Sequence, residues 1–178
     1  MKKIIAAIII LVISLSALSC TDKDENEEVK LIPYFELGLY YSIPEEFEGR
    51  NLPYGDMTYS NGDAYFFFNA FDKATLGEDM LVSPDISPVE YTETYILFLP
   101  FSVPYRYNEE TNTTLFEYVY DYDDGVSESE YYRHMILRTE DYLYHVTLSC
   151  YEDDAKKYDE LFDRIMDSVN VGVFVGQQ

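Results

Sequence analysis

Three strand-like segments follow one another near the end of the chain, and this run most limits the folds that the sequence can adopt. The segments cover residues 114–122, 131–138 and 142–150, and short polar turns separate them. Turns this short join antiparallel strands, because parallel strands need a crossover of about a dozen residues. The run therefore predicts an antiparallel meander.

The segment after the meander predicts an amphipathic helix that packs on the sheet. Its apolar residues recur at spacings of three and four, which places them on one helical face. They are Ala155, Tyr158, Leu161, Phe162, Ile165, Met166 and Val169. The acids at residues 152–154 stand where the positive end of a helix dipole favours negative charge.

A second helix is predicted midway along the chain. Ser87 can cap its start, Pro88 suits its first turn, and Glu90 completes a capping box. Pro100 cannot continue a helix, so the predicted helix covers residues 88–99.

Two further strand signals precede this helix. The alternating pattern of residues 35–43 predicts one continuous strand, which Pro44 ends. Asn61 and Gly62 predict a hairpin turn, and residues 64–71 form its return strand. Because the return strand is apolar on both faces, we expect both faces of the sheet to be covered.

The first 19 residues have the layout of a secretory signal peptide. Lys2 and Lys3 give a basic start, residues 4–13 are apolar, and small residues follow as far as Ser19. A retained transmembrane helix is the alternative, but the apolar run is shorter than the roughly 20 residues that span a bilayer. We expect residues 1–19 to be removed.

Cys20 is the predicted site of lipid attachment. Ala17-Leu18-Ser19-Cys20 resembles the lipobox of bacterial lipoproteins, which implies that Cys20 is diacylated and becomes the first mature residue. Ala17 departs from the commonest pattern, and Ala17 with Ser19 also fits cleavage by ordinary signal peptidase. The resemblance implies a bacterial cell-envelope protein that is held to the membrane by its lipid and exposed outside the cytoplasmic membrane.

Composition predicts an acidic tether followed by one folded domain. Residues 20–30 are rich in acids and poor in apolar groups, so we expect an extended spacer that holds the domain off the bilayer. Residues 31–178 form a single predicted domain with enough hydrophobic residues, 47% of the whole chain, to build a core. The net charge of −22 repels phosphates, so nucleic acid is excluded as a partner.

No catalytic motif occurs in the sequence, which lacks Gly-x-Ser-x-Gly, His-Glu-x-x-His and a phosphate-binding loop. We therefore predict a protein that is not an enzyme and has no catalytic residues. His134 and His145 lie on neighbouring predicted strands and could meet. Two histidines without a positioned third ligand make a poor metal site, so we interpret them as ordinary sheet residues. Cys150 is interpreted as a small buried side chain.

An acidic turn leaves calcium binding open as an alternative. Asp121, Asp123, Asp124 and Glu128 have the carboxylate density that calcium prefers. Their spacing differs from the helix-loop-helix calcium motif, because Gly125 is fifth from Asp121 whereas the motif has its glycine sixth. A solvated turn is favoured, with no cofactor, and weak calcium binding is the alternative.

Tyrosine is unusually frequent, with 19 Tyr and 11 Phe in the chain and no Trp. Tyr118, Tyr120 and Tyr122 share one face of a predicted strand, where their hydroxyl groups can stay in water. This face either packs under a helix or forms a contact surface for a protein or glycan, because tyrosine is favoured at interfaces.

Two segments resemble the PsbP-like superfamily. Residues 35–47 read Phe-x-Leu-x-x-Tyr-Tyr-Ser-Ile-Pro-Glu-Glu-Phe, and residues 158–169 read Tyr-x-x-Leu-Phe-Asp-x-Ile-x-x-Ser-Val. With the order of elements between them, the resemblance covers residues 31–171. It implies an α+β fold in which an antiparallel sheet lies between helices, as an α/β/α sandwich.

The same resemblance implies a non-catalytic binding or assembly module for a protein partner, and bacterial members of the family are often small exported or lipid-anchored proteins. We therefore expect an envelope-anchored lipoprotein with a protein partner in the envelope. A calcium-binding or small-ligand-binding envelope protein is the alternative, and a hydrolase is favoured less.

Overall fold

The computed structural model describes residues 29–50, 55–122 and 126–171. The predicted signal peptide and Cys20 lie outside the described residues. Within the described part of the chain, no helix is both long enough and apolar enough to span a bilayer.

The described residues form a seven-stranded antiparallel sheet, a separate two-stranded hairpin and two α-helices. The strands are β1 (Leu31–Glu36), β2 (Leu39–Pro44), β3 (Glu48–Gly49), β4 (Met57–Ser60), β5 (Ala64–Asp72), β6 (Tyr105–Asn108), β7 (Thr113–Tyr120), β8 (Glu130–Arg138) and β9 (Tyr142–Tyr151). The helices are α1 (Pro88–Ile96) and α2 (Ala155–Ser168), with a π-helical turn at Thr75–Asp79 and a 3-10 turn at Glu152–Asp154.

The predicted meander is confirmed as the strands β7, β8 and β9. The seven-stranded sheet has the order β3-β4-β5-β9-β8-β7-β6, so β9 lies between its hairpin partner β8 and the distant strand β5. The register pairs Tyr118 with Tyr132, Tyr132 with Ser149, and Ser149 with Tyr65. Directly paired residues share a face, so this register decides which side chains meet.

The prediction of one strand over residues 35–43 is wrong, because the chain reverses there. Glu36 pairs with Leu39, and the two residues between them, Leu37 and Gly38, have φ angles of 50° and 84°. Positive φ at both positions is what a tight two-residue hairpin turn needs. A Cβ at Gly38 would lie 2.7 Å from the Tyr144 hydroxyl, which donates a hydrogen bond to the Leu37 carbonyl.

One face of the sheet is covered by α2 and by the β1–β2 hairpin. Phe162 and Ile165 of the helix are fully buried there against Phe66 and Phe68 of β5, as the amphipathic pattern predicts. The edge of this layer is held by Arg133, whose guanidinium nitrogens lie 2.6 Å from carboxylate oxygens of Asp159 and Asp163. The predicted helix therefore packs through its apolar stripe.

The opposite face is covered by α1 and the segments around it. The predicted capping box forms, because the Glu90 amide donates to the Ser87 hydroxyl at 3.2 Å and the Ser87 amide donates to the Glu90 carboxylate at 2.9 Å. The helix ends at Ile96, before the predicted residue 99, because the amides of Phe98 and Leu99 donate to carbonyls three residues back rather than four.

The second layer completes the predicted fold. Beneath α1, Ile136 and Leu143 are fully buried, while Phe71 at the end of β5 packs against the same cluster. Both faces of the sheet are therefore covered at the Phe71 end of β5, as predicted, whereas Tyr65 and Phe67 on the same face of this strand line an open groove. The fold class is α+β, with an antiparallel sheet between helices.

Candidate binding surface

Among the described residues, helix α1 covers only one end of its sheet face, and tyrosines lie at the other end. The row Tyr118–Tyr132–Ser149–Tyr65 crosses four neighbouring strands and leads away from the helix, because Tyr118 still contacts Tyr95 of α1. Tyr118, Tyr132 and Tyr65 are only partly buried. The face therefore changes from a helix-covered core to an open aromatic surface within one sheet.

A buried histidine pair marks the boundary of the covered end. His134 Nδ1 lies 2.9 Å from His145 Nε2 and 3.0 Å from the Thr147 hydroxyl, and the Tyr91 hydroxyl lies 3.3 Å from His145 Nδ1. Tyr95 of α1 covers both rings, with centroid distances of 5.5 and 4.8 Å. The pair thus forms part of the packing between α1 and the sheet.

Burial keeps both histidines neutral. It lowers the pKa of His145 to about 3, and burial together with repulsion from His145 lowers the pKa of His134 well below its ordinary value. Among the described residues, no three His, Cys, Asp or Glu side chains are grouped so that they could hold a metal ion. The pair is a hydrogen-bonded part of the core, in agreement with its interpretation as sheet residues.

A groove of about 440 Å³ opens beside this boundary, and we call it the tyrosine groove. Its side chains come from β5, β8, β9 and the segments that adjoin them. The lining residues are Asp63, Tyr65, Phe67, Tyr122, Glu130, Tyr132, Ser149, Cys150 and Tyr151. The volume lies within the range of about 300–1,000 Å³ that is typical of ligand sites.

Glu130 organises the rings of the groove. Its carboxylate oxygen Oε2 accepts a hydrogen bond from the Tyr122 hydroxyl at 3.0 Å and another from the Tyr132 hydroxyl. Burial, and then the hydrogen bond to Glu130, raise the pKa of Tyr132 above its ordinary value. The Tyr132 hydroxyl therefore stays protonated at neutral pH and keeps donating to the carboxylate, which holds its ring in place.

The three predicted contact residues, Tyr118, Tyr120 and Tyr122, have different surroundings in the structure. Tyr122 lines the groove, whereas the Tyr118 hydroxyl lies 3.3 Å from that of Tyr95 and its ring contacts Phe101. Tyr120 packs between the rings of Phe101 and Tyr122, at centroid distances of 6.2 and 4.9 Å. The three residues thus form one continuous aromatic strip that leads from α1 into the groove.

Four ring residues of the groove were not predicted from the sequence, namely Tyr65, Phe67, Tyr132 and Tyr151. They come from β5, β8 and β9, and Tyr65 and Tyr132 lie more than sixty residues apart in the chain, on strands that meet only through β9. The sequence did indicate that Tyr65 lies on the second apolar face of the return strand. No local pattern, however, indicates which strand lies beside that one.

The acidic turn is described only in part, because Asp123 and Asp124 lie outside the described residues. Asp121 is exposed and accepts a hydrogen bond from the Ser129 hydroxyl at 3.3 Å. Glu128 is also exposed and lines a second hollow, which shares Tyr122, Glu130 and Tyr151 with the groove. Calcium binding at this turn stays a prediction of the sequence.

Cys150 adjoins the groove and is also a buried member of the core cluster on the α2 side. Burial, followed by repulsion from Asp154, raises the pKa of this thiol to about 11. A thiol with this pKa is protonated at neutral pH and is a weak nucleophile. This agrees with the prediction of a structural cysteine.

Comparison with solved structures shows which fold this chain has. The cyanobacterial PsbP protein (CyanoP) of Synechocystis sp. PCC 6803 matches with a TM-score of 0.53 and 12% sequence identity, over 86% of this chain and 99% of that protein. The Ran-binding protein Mog1p of Saccharomyces cerevisiae matches with a TM-score of 0.52 and 8% identity, over 81% of this chain and 96% of Mog1p. A protein from Bacteroides thetaiotaomicron VPI-5482 matches with a TM-score of 0.52 and 10% identity, over 82% of this chain and 50% of that protein.

The chain therefore has a PsbP/Mog1-like fold, and the fold implied by the sequence resemblance is confirmed. No protein-family model matches the sequence, and no curated protein matches it at a significant level. At 8–12% identity the likeness concerns the fold alone.

Proposed function

We propose that this protein is a non-catalytic binding or assembly module of the bacterial cell envelope, anchored by lipid at Cys20, which docks a protein partner on the tyrosine groove. The observation that carries the proposal is the uncovered end of the α1 face. There, Tyr65, Tyr122 and Tyr132 leave their rings open beside a helix that covers the rest of the same face.

The chemistry of the groove suits protein contact. Tyrosine supplies a large apolar ring with a polar tip, and it is enriched among the residues that contribute most to binding at interfaces. The hydrogen bonds to Glu130 restrain the rings of Tyr122 and Tyr132 before any partner arrives. Restrained rings lose less conformational entropy on binding, which favours affinity.

The comparisons support a binding role without naming a partner. Mog1p, one of the proteins with this fold, is described as a Ran-binding protein. That property belongs to Mog1p, and the partner of the present chain is proposed only as a protein of the same envelope.

The length of the predicted tether suits an anchored module. Lys30 lies just before β1, with its ammonium 3.0 Å from the Glu45 carboxylate, and β1 begins eleven residues after Cys20. An extended spacer of that length reaches about 35 Å. It would let the domain stand clear of the lipid surface and present its groove to a neighbouring protein.

Partner capture tests the proposed docking surface. We expect the lipidated protein, cross-linked in gently solubilised envelopes of its own organism, to retain a defined protein in stoichiometric amount. Replacing Tyr65→Ala and Tyr122→Ala together should lower the captured amount about tenfold or more, because interface tyrosines commonly contribute most of the binding energy.

The control for this experiment is Tyr107→Ala, which removes a more exposed tyrosine on β6 outside the groove. It should leave capture unchanged, and thermal melting should show that all variants remain folded. An equal loss of capture in the control and the groove variant would contradict docking at the groove.

Lipid anchoring is tested by the variant Cys20→Ser. The wild-type protein should enter the detergent phase of a two-phase separation, while the variant should stay in the aqueous phase, because two or three acyl chains are needed for stable membrane attachment. Phase partitioning followed by immunodetection measures this difference. Equal partitioning of the two proteins would rule out Cys20 as the anchor.

A further inference from the structure

The tyrosine groove has a charge of one sign only. Among its described lining residues, Asp63 and Glu130 are acidic and none is lysine or arginine. The adjoining hollow adds Glu128, again with no basic side chain in its lining. A groove with acids and no bases attracts a cation and repels an anion.

The two acidic residues of the groove differ in whether a nearby cation already balances their negative charge. Asp63 lies 3.7 Å from the ammonium of Lys157, and both side chains are more than half exposed, so water screens this pair. Glu130 is partly buried, and its described hydrogen-bond donors are the neutral hydroxyls of Tyr122 and Tyr132. Its negative charge is therefore the one that an incoming cation would meet most directly.

The same carboxylate keeps room for a ligand. Both tyrosine hydroxyls donate to one oxygen, Oε2. An ionised carboxylate has about four acceptor positions on its two oxygens, so Glu130 retains acceptor capacity at Oε1. A guanidinium or ammonium group carries several donors and can use that capacity in a charge-assisted hydrogen bond.

The aromatic rings complete a cation site. The faces of Tyr65, Tyr122 and Tyr132 carry the negative quadrupole that attracts a cation placed within about 6 Å of the ring centroid. Rings that surround a carboxylate also remove water from it, which strengthens its interaction with a cation. Rings and carboxylate therefore select the same kind of ligand through independent interactions.

We infer that the tyrosine groove binds a lysine or arginine side chain of an extended, positively charged segment of the partner protein. This inference rests on the proposed function, because it names the chemistry of the partner at the same surface. The net charge of −22 on the whole chain acts in the same direction, since it draws a basic partner toward the protein before contact.

A peptide titration tests the inference. The full lipidated protein, in micelles of an uncharged detergent, is titrated into two short labelled peptides that differ only in carrying alternating arginine or alternating glutamate. We expect fluorescence anisotropy to show binding of the arginine peptide alone, with an affinity that falls as salt is raised. Equal binding of both peptides would overturn the inference.

Charge variants distinguish peptide binding in the groove from general attraction to the negatively charged protein. Glu130→Gln keeps an oxygen acceptor for the tyrosine hydroxyls and removes the charge. This variant should bind the arginine peptide about fivefold or more weakly than the wild type. The matched control is Glu140→Gln, which removes one exposed charge at the opposite end of β8. It should change the affinity less than about twofold. Equal effects of the two variants would contradict a cation site in the groove.

Ring variants give a second readout that does not alter charge. Tyr122→Leu removes the aromatic face, whereas Tyr122→Phe keeps it. Only the leucine variant should therefore bind the arginine peptide more weakly than the wild type. Equal affinities of the two variants would contradict the role assigned to the ring.

Failure of the inference can be told from failure of the proposed function. If capture of the envelope partner needs Tyr65 and Tyr122 but is unchanged by Glu130→Gln, the docking surface stands and the preference for a cation is wrong. If capture is unaffected by the tyrosine variants, the proposed docking surface itself is wrong, whatever the peptides show.

Discussion

Lowering the pH from 6.5 to 4 should cost this protein about 3 kcal/mol of folding stability through His145 alone. In the unfolded chain a histidine takes up a proton near pH 6.5, whereas burial lowers the pKa of folded His145 to about 3. Between these values the unfolded state binds the extra proton, and each pH unit lowers the free energy of unfolding by about 1.4 kcal/mol.

The sign of this effect follows from the direction of the shift. Above pH 6.5 both states are neutral at this position and the stability is fully present. It is lost progressively as the pH falls from 6.5 toward 3. His134 adds to the loss in the same direction, because burial and the neighbouring His145 also lower its pKa.

Urea unfolding at a series of pH values measures this loss, and His145→Gln identifies its source. The variant should be less stable at pH 7, because the hydrogen bonds to Tyr91 and His134 are altered. Its stability should nevertheless fall less steeply between pH 6.5 and 4, because one buried titrating group is gone. A variant with the same slope as the wild type would show that His145 does not carry the effect.

Removing the Phe162 ring should destabilise the protein by about 3–5 kcal/mol. Phe162 is fully buried between α2 and the sheet, with ring centroids of Tyr158 and Tyr131 at 5.7 and 6.4 Å. Phe162→Ala loses the transfer free energy of the ring and leaves a cavity that a close-packed core fills only in part. Small domains have total stabilities of about 5–15 kcal/mol, so this is a large share.

The matched control is Phe98→Ala, which removes the same ring from a position that is 85% exposed after α1. Chemical denaturation should place this control within about 0.5 kcal/mol of the wild type. Similar losses in the two variants would mean that α2 does not pack on the sheet through Phe162.

Several elements could be predicted from the sequence because their signals are local. The capping box at Ser87 and Glu90 forms within four residues, and the apolar stripe of α2 repeats within single helical turns. The meander strands are likewise joined by turns of a few residues. Patterns of this kind need no information from distant parts of the chain.

The N-terminal hairpin was missed for a local reason as well. An alternating pattern continues through residues 35–43 with the right period, and Leu37 is an unusual residue for positive φ. Gly38 was the available turn signal. Tertiary packing favours the reversal, because Leu39 and Tyr41 become buried against the sheet while Phe35 and Leu37 stay about half exposed.

Of the groove residues, only Tyr122 was predicted from the sequence, and the positions of the other tyrosines show why. Tyr65 and Tyr132 meet across Ser149 through pairings between strands that are far apart in the sequence. A shift of one residue in either pairing would move each ring to the opposite face. The sequence alone therefore predicts a tyrosine-rich sheet, but it does not predict which tyrosines gather.

The amino-acid sequence by itself determined the elements of this protein, namely an antiparallel meander, two helices and a strongly acidic charge, because period, capping and composition act over a few residues. Only the tertiary structure decided where the hairpin reverses, that His134 and His145 share one hydrogen bond, and that α1 stops short of Tyr65, Tyr122 and Tyr132. These features depend on strand register and on competition for a limited buried area, which are properties of the whole fold.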